Sequence, residues 1–417
     1  MRSPGCRRCP GDRNSWPSSR CDGVASRSAV AYRDAVDLRF SPAQDAFRTE
    51  VRDWLTTHSP STESPAAGRA LVDFQRAWQA DLASVALVAV HWPRDFGGRG
   101  LGWTESFIVQ EEIALAHAPE IVNRVAVNLV GPTLLEHGTS EQRERYLHRI
   151  VTAEDLWCQL FSEPEAGSDL GAMQTRATRV AGGWRVTGQK VWASNAQYSR
   201  YGVLLARTGE SERGRPPIGY FLLDMDQPGI DVRPLRQMTG ESEFNEVFLD
   251  GAFVSDESVV GDPGNGWAVM RTTLGYERST SPRQLIVHSV LLETLLDEAR
   301  QRTTDAITRQ QLARAYSELW IYRLHLYRVL SALDAGRPPG ATSSLVKLFW
   351  SEMAQRMHET SLRMLGPAAT IEGGRRQRDY LYYRACTIFA GTSEIQRNTL
   401  GEQVLGLPRE PRAKVVP

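Results

Sequence analysis

Three short stretches carry side chains whose types and spacing suit chemistry. In GWAVMRTTLGYERS, residues 266–279, Trp267, Met270 and Leu274 fall at i, i+3 and i+7, an apolar stripe on a helix. Three residues further on, the stripe reaches Glu277. A carboxylate on a buried face is costly unless it is paired or used. Desolvation among Trp and Met raises its pKa toward neutrality, which suits a general base. The other use of such a group is a buried ion pair, with Arg278 or with an arginine of another helix. Pro282 cannot donate to the carbonyl of Arg278, so the helix is expected to kink or open near Glu277. The second stretch, SEPEAGSD at 162–169, joins a rigid Pro turn to Gly and small hydroxyls. That suits close backbone approach to a flat ligand, and it equally suits an ordinary β-turn. In the third, TIFAGTSEIQRN at 387–398, an apolar run ends at Ala390-Gly391. Ser393 and Gln396 then stand in the spacing of a capping box, opening a helix whose N–H groups and dipole can hold a phosphate. Ala390 itself takes no proton.

The elements that must position these groups change texture twice. From about residue 41 the pattern is helical: SPAQDAFRTEVRDWLTTH opens on a Ser-Pro start and places Phe47, Val51, Trp54 and Leu55 on one face. DFQRAWQADLASVAL and WTESFIVQEEIALAHA follow, separated by the Pro/Gly-rich loop HWPRDFGGRGLG. From about 156, TRATRVAGGWRVTGQKVWAS reads as two alternating runs joined by a Gly-Gly turn, and further short strands follow. Within it Trp192 precedes the small polar pair Ser194 and Asn195 at a strand end, where a tryptophan ordinarily packs into a core. This predicts an antiparallel β-barrel-like or sandwich unit. From about 264 the pattern is helical again, with two long helices of similar length, the first stopped by Gly336, Pro338 and Pro339. The expected class is α+β. A leader spans 1–38, an N-terminal helical domain 39–155, a middle β-domain 156–262 and a C-terminal four-helix bundle 263–417.

The 417 residues carry 49 Lys+Arg against 49 Asp+Glu, so nothing in the charge favours nucleic acid or an acidic membrane surface. No apolar run approaches a bilayer span, and the expectation is a soluble, cytoplasmic protein. Cys6, Cys9 and Cys21 cluster near the start while Cys158 and Cys386 stand apart, which is no disulfide framework. Cys6-x-x-Cys9 lacks a second ligand pair, so no metal site is expected. The Arg-, Ser-, Pro- and Gly-rich leader has no continuous hydrophobic segment and reads as a disordered extension rather than a secretory signal.

Taken in order, LWCQLFSEPEAGSDLGAMQTRA, GQKVWASNA, Gly266-Trp267, Glu277-Arg278 and AGTSEIQRN resemble the acyl-CoA dehydrogenases over residues from about 40 to 408. The resemblance implies that family's fold and a bound FAD. Gln159, Phe161, Ser162, Trp192 and Ser194 match positions lining the isoalloxazine, and Ser168 one near the acyl-CoA. Thr392 and Glu394 match positions approaching the adenosine and phosphate region, where most members have glutamine at the second. Many members also carry an Arg-x-x-Phe-Gly segment whose Arg holds the diphosphate across a subunit interface. Here the region reads QRTTDAITRQQLA, and Arg309 is the substitute donor. In many members the residue before Gly-Thr is the glutamate base; here it is Ala390. A branch that includes isovaleryl-CoA dehydrogenase takes its base from the earlier helix in a similar Glu-Arg context. Glu277 matches that base, and Arg278 an arginine contacting CoA.

The implied reaction is α,β-dehydrogenation of an acyl-CoA to the trans-2-enoyl-CoA, with Glu277 taking the α-proton and flavin N5 the β-hydride. The implied partners are the acyl-CoA, an electron-transfer flavoprotein or similar acceptor, and further chains. A homotetramer, or a heterotetramer with a related chain, would assemble through the bundle that carries Trp320, Tyr327, Phe349 and Trp350. AGTSEIQ would complete a neighbour's flavin site. Two other readings stay open: a non-catalytic or flavin-sharing partner subunit, and an acyl-CoA oxidase or monooxygenase on the same fold. QMTGESEFNEVF resembles actinobacterial chains linked to sterol side-chain or fatty-acid breakdown.

Overall fold

The computed structural model describes residues 39–61, 64–65, 67–210, 215–279, 282–301, 304–337, 340–371 and 373–409, and for 277–279 the backbone alone. The leader with Cys6, Cys9 and Cys21, and the pair Pro338–Pro339, lie outside the described residues.

Among the described residues five α-helices come first: α1 (Pro42–His58), α2 (Gly68–Ser84), α3 (Trp103–Leu115), α4 (Gly131–His137) and α5 (Ser140–Val151). The Ser41 hydroxyl accepts from Gln44 N while the Gln44 side chain accepts from Ser41 N, a reciprocal cap that fixes the start of α1. The helix buries Phe47, Val51 and Leu55. Beside them Arg48 and Arg52 converge on buried Glu112 of α3, at 2.7 and 2.8 Å. Between α2 and α3 the Pro/Gly loop folds back on itself. A Cβ on Gly98 would stand 2.0 Å from the Trp92 carbonyl oxygen, so only glycine fits there.

The middle segment forms one sheet from β1 (Trp157–Leu160), β2 (Arg176–Val180), β3 (Gly183–Ser194), β4 (Tyr201–Arg207), β5 (Ile218–Asp224), β6 (Ile230–Leu235) and β7 (Phe244–Ser255). Its order is β1-β4-β2-β3-β7-β6, with β5 also pairing to β4. The β2–β3, β3–β7, β4–β5 and β6–β7 pairs are antiparallel as expected, whereas β4 runs parallel to β1 and meets β2 in parallel. The β2–β3 turn places Gly182 at φ +73°, a conformation glycine adopts without strain.

Six further α-helices are described after the sheet: α6 (Gly266–Ser279), α7 (Pro282–Gln301), α8 (Ala306–Asp334), α9 (Ser343–Leu365), α10 (Arg375–Tyr383) and α11 (Ser393–Thr399). Leu285, Leu292, Leu326, Trp350, Met353 and their neighbours make the bundle core, which Phe107 of α3 also enters. A second core joins α1–α5 to the sheet through Trp157, Phe161, Tyr201 and Tyr220, and it takes in Val269 and Met270 of α6. A third lies on the sheet's other face, around Trp184, Phe221 and Val247. Helix α6 therefore spans the junction of helices and sheet, which is where a group at its C-terminal end can meet both.

Candidate active site

The turn after β1 and the end of β3 are bolted together. Phe161 is buried, edge-on to Tyr220 at 5.9 Å. The Ser162 carbonyl accepts from Val191 N at 3.0 Å, a bond outside the β3–β7 ladder. Glu163 and Ala166 exchange both backbone bonds at 3.1 Å across Pro164-Glu165, so SEPEAGSD is a β-turn, and Ser168 lies exposed beyond it. The turn is fixed from beneath. Lys190, wholly buried, donates to a Glu163 carboxylate oxygen at 2.8 Å and to the Phe161 carbonyl at 3.1 Å. The same carboxylate accepts from Gln174 N and Thr175 N. Burial pushes the Lys190 ammonium down to about 8 against the pull of Glu163. Burial alone would raise the Glu163 carboxyl, but Lys190 and the amide donors hold it below the ordinary carboxylate value. At neutral pH both are ionised.

The β3–β7 register breaks between Lys190 and Ala193. Inside this bulge Trp192 sits at φ +62°, a strained conformation for a bulky side chain, and it is 59% exposed. Its indole meets Phe244 edge-on at 6.1 Å; the ladder resumes with Ala193 opposite Asn245 and continues with Ser194 opposite Phe244. Asn195 is also left-handed, at φ +54°, and its N–H donates to the Glu243 carbonyl at 2.7 Å. An exposed indole held in strained backbone, with Ser162 and Ser194 nearby in the bolted segments, fits the face and polar edge of a flavin ring. Phe161 and Ser162 thus lie against the end of β3 that carries Trp192 and Ser194, while Gln159 sits on β1 opposite Val203 of β4.

The other expected cofactor residues lie elsewhere. The cap of α11 is Thr392 rather than Ser393: its hydroxyl accepts from Ile395 N at 3.2 Å. Gln396, the expected capping-box partner, instead donates to the carbonyls of Ala390 and Gly391. The reason is Ala390 at φ +54° followed by Gly391 at φ +86°, which turns both carbonyls toward the helix start. A cleft of about 450 Å³ opens there, lined by Glu352, Gln355, Thr387, Thr392, Ser393 and Arg397 among others. Ser393 lines it, and the Ser393 hydroxyl and, behind it, the Gln396 side-chain amide oxygen are buried without a hydrogen-bond partner. Glu394 also lines the cleft, its carboxyl held below the ordinary value by backbone N–H at the helix start. Arg309 is exposed on the first turn of α8, donating to the Thr304 carbonyl.

Helix α6 supplies the remaining candidates. Trp267 donates to the Pro216 carbonyl at 2.8 Å, Met270 is buried and Leu274 packs against the same core. Thr273, fully buried, bonds Thr133 at 2.9 Å and Tyr220 Oη at 3.2 Å. The backbone is helical through Ser279, and α7 is described from Pro282; the expected kink near Glu277 falls on residues 280–281, which lie outside the described residues. The side chains of Glu277 and Arg278 lie outside the described residues. Tyr276, one residue before, stacks on Trp103 at 6.0 Å, and Trp103 stacks on His91 at 3.8 Å. Both nitrogens of His91 are buried without a hydrogen-bond partner, and burial pushes its pKa down to about 4. Neither this stack nor the Lys190–Glu163 pair was anticipated from sequence. Lys190 occupies an inward position of an alternating strand, and that pattern is the signal for it.

Three family models match the chain: acyl-CoA dehydrogenase N-terminal domain at 41–154, middle domain at 158–252 and C-terminal domain at 264–405. Acyl-CoA dehydrogenase IpdE1 of Mycobacterium tuberculosis is 38% identical over 380 residues, 88% of this chain and 98% of that protein. The solved Tcur3481-Tcur3483 steroid ACAD superposes with a TM-score of 0.79 at 26% identity, over 90% of this chain and 100% of that one. The ChsE4-ChsE5 complex from Mycobacterium tuberculosis gives 0.78 at 26%, again over 90% and 100%. With family models matching along nearly the whole described chain, the protein belongs to the acyl-CoA dehydrogenase family of FAD-dependent oxidoreductases.

Proposed function

We propose that the chain dehydrogenates an acyl-CoA at Cα–Cβ, with Glu277 as the base. The observation that carries this is the inward stripe of α6, Met270, Thr273 and Leu274, whose helical spacing continues to position 277, while the alternative position holds Ala390. Bound FAD, held at its ring by Trp192, Ser194, Gln159, Phe161 and Ser162, supplies the acceptor for the β-hydride. Glu277 takes the α-proton as the general base. Arg278 contacts a CoA phosphate as a permanently charged fork, and Ser168 borders the thioester's path. Thr392, Glu394 and Arg309 serve the adenosine and diphosphate end, of the same or a neighbouring chain's FAD. The electrons then pass to an electron-transfer flavoprotein or similar acceptor in the cytoplasm.

The substrate class we favour is a CoA thioester of a steroid or steroid-derived acyl group. Both superposing structures above carry two named chains, and the first is a steroid ACAD. The two named chains also favour a heteromer with a related chain over a homotetramer.

Glu277→Gln keeps shape and hydrogen bonding but removes basicity. It should retain FAD and fold while turnover with an acyl-CoA panel and an artificial electron acceptor falls by about 10²–10⁴. Retention of most of the wild-type turnover would assign the proton to another group. Oxygen-driven turnover without an acceptor would move the reading to an oxidase.

A further inference from the structure

Two segments present the flavin-facing residues, and both would be pliable alone. One is a turn containing Pro164 and Gly167; the other is the end of β3, with Trp192 left-handed in the bulge and Asn195 left-handed just past the strand. Strain of this kind persists only where the surroundings over-determine it. The segments are tied directly by the Val191 N to Ser162 carbonyl bond and by the side chain of Lys190. Lys190 lies two residues before Trp192, and its ammonium reaches the Phe161 carbonyl and the Glu163 carboxylate in one grasp. Glu163 in turn holds the amides of Gln174 and Thr175, where the chain enters β2.

We propose that the buried Lys190–Glu163 pair is the positioning device of the flavin platform, locking the Phe161–Ser162 turn to the bulge that presents Trp192 and Ser194. A hydrophobic pair of similar volume would stabilise the fold as well or better. What such a pair cannot do is hold a carbonyl and two amide donors in fixed register. Lys190 touches neither flavin nor substrate in this arrangement; it acts through Phe161, Ser162 and Trp192. The inference rests on the assignment of the flavin ring to those residues.

Titration of FAD into flavin-free full-length protein, with thermal melts of the same samples, tests it. Lys190→Met alone leaves Glu163 as a buried unpaired charge and should lower both Tm and FAD affinity. Lys190→Met with Glu163→Gln removes both charges, while the substituted side-chain carbonyl still accepts from the backbone amides of Gln174 and Thr175. In that double variant Tm should return close to the wild-type value, while the FAD Kd stays raised by about tenfold or more. The visible absorption band of its bound flavin should also lose the shoulder that a rigid, dry site gives. A double variant that binds FAD as the wild type does overturns the inference. If the double variant does not fold, Glu163→Asp decides, since it keeps both charges and shortens only the reach. Severalfold weaker FAD then supports the device, and unchanged affinity overturns it. Trp192→Ala is the reference for the ring assignment. If it binds FAD normally, that assignment fails and the inference with it. If it weakens FAD while the double variant does not, the positioning role alone fails.

Discussion

Thr392 and Ser393 differ by one position and by everything that matters to the start of α11. Thr392 has extended backbone at φ −60°, ψ 159° and accepts from Ile395 N, whereas the Ser393 hydroxyl is buried without a partner. Thr392→Ala should therefore cost about 1 kcal/mol of local stability, read as faster amide exchange at Ile395, while Ser393→Ala leaves that exchange unchanged. Equal effects from the two changes would restore the Ser393 cap. Sequence spacing favoured Ser393 because Gln396 lies three residues on. It could not show that Ala390 and Gly391 are both left-handed and aim their carbonyls at that glutamine. At the platform the types were legible: a tryptophan before Ser194-Asn195 is visible in the letters. That it is exposed depends on a bulge, which alternation alone does not predict.

Among the elements, the bundle carries an acid-sensitive point. His288 of α7 and His358 of α9 both lie against Tyr383 of α10, at ring separations of 5.0 and 4.3 Å. Burial pushes His288 down to about 4. It pushes His358 to about 3, with the neighbouring His288 and Arg384 adding to the effect. Above pH 6.5, the ordinary histidine value, both are neutral whether the chain is folded or not. Below it the unfolded chain takes up protons that the folded chain refuses, so stability falls as pH drops toward 4. Urea melts at pH 7.5, 6 and 5 should show the fall, of roughly 2 kcal/mol per histidine by pH 5. His358→Phe, which keeps the stack on Tyr383, should make the dependence shallower; an unchanged slope would place the sensitivity elsewhere. The helices themselves were readable from periodicity, including the paired lengths of α8 and α9. What was not readable is non-local. Strand β1 lies parallel to β4, with Trp157 opposite Tyr201, and Asp334 at the end of α8 caps α3 by accepting from Trp103 N at 2.6 Å. Pairings of that kind leave no local signature.

For the whole molecule, the open question is what covers α8. Of the four bundle aromatics expected at an interface, Trp350 is buried, and Tyr327 and Phe349 pack against the chain's own core. Trp320 faces outward, 47% exposed, with Tyr316 and Leu324 one turn either side and Ile321 beside it. A stripe of this kind on one helix marks an interaction face more often than bare surface. Light scattering should therefore give an assembly of several chains, alone or with a related partner. Trp320→Glu with Leu324→Glu should shift it to smaller species; a native protein that is strictly monomeric, flavin-loaded and active would remove the need for that face. Among the described residues no helix is long and apolar enough to cross a membrane.

Trp192 carries a lesson for anyone writing new sequences onto this backbone. A left-handed position in a bulge asks for glycine or asparagine, and a procedure that satisfied only the local dihedral angles would supply one. The redesigned chain would lose the indole and gain an easier fold. Natural sequences break a local rule where something other than folding set the choice. A designer who wants to keep the chemistry must therefore exempt from optimisation the residue that scores worst.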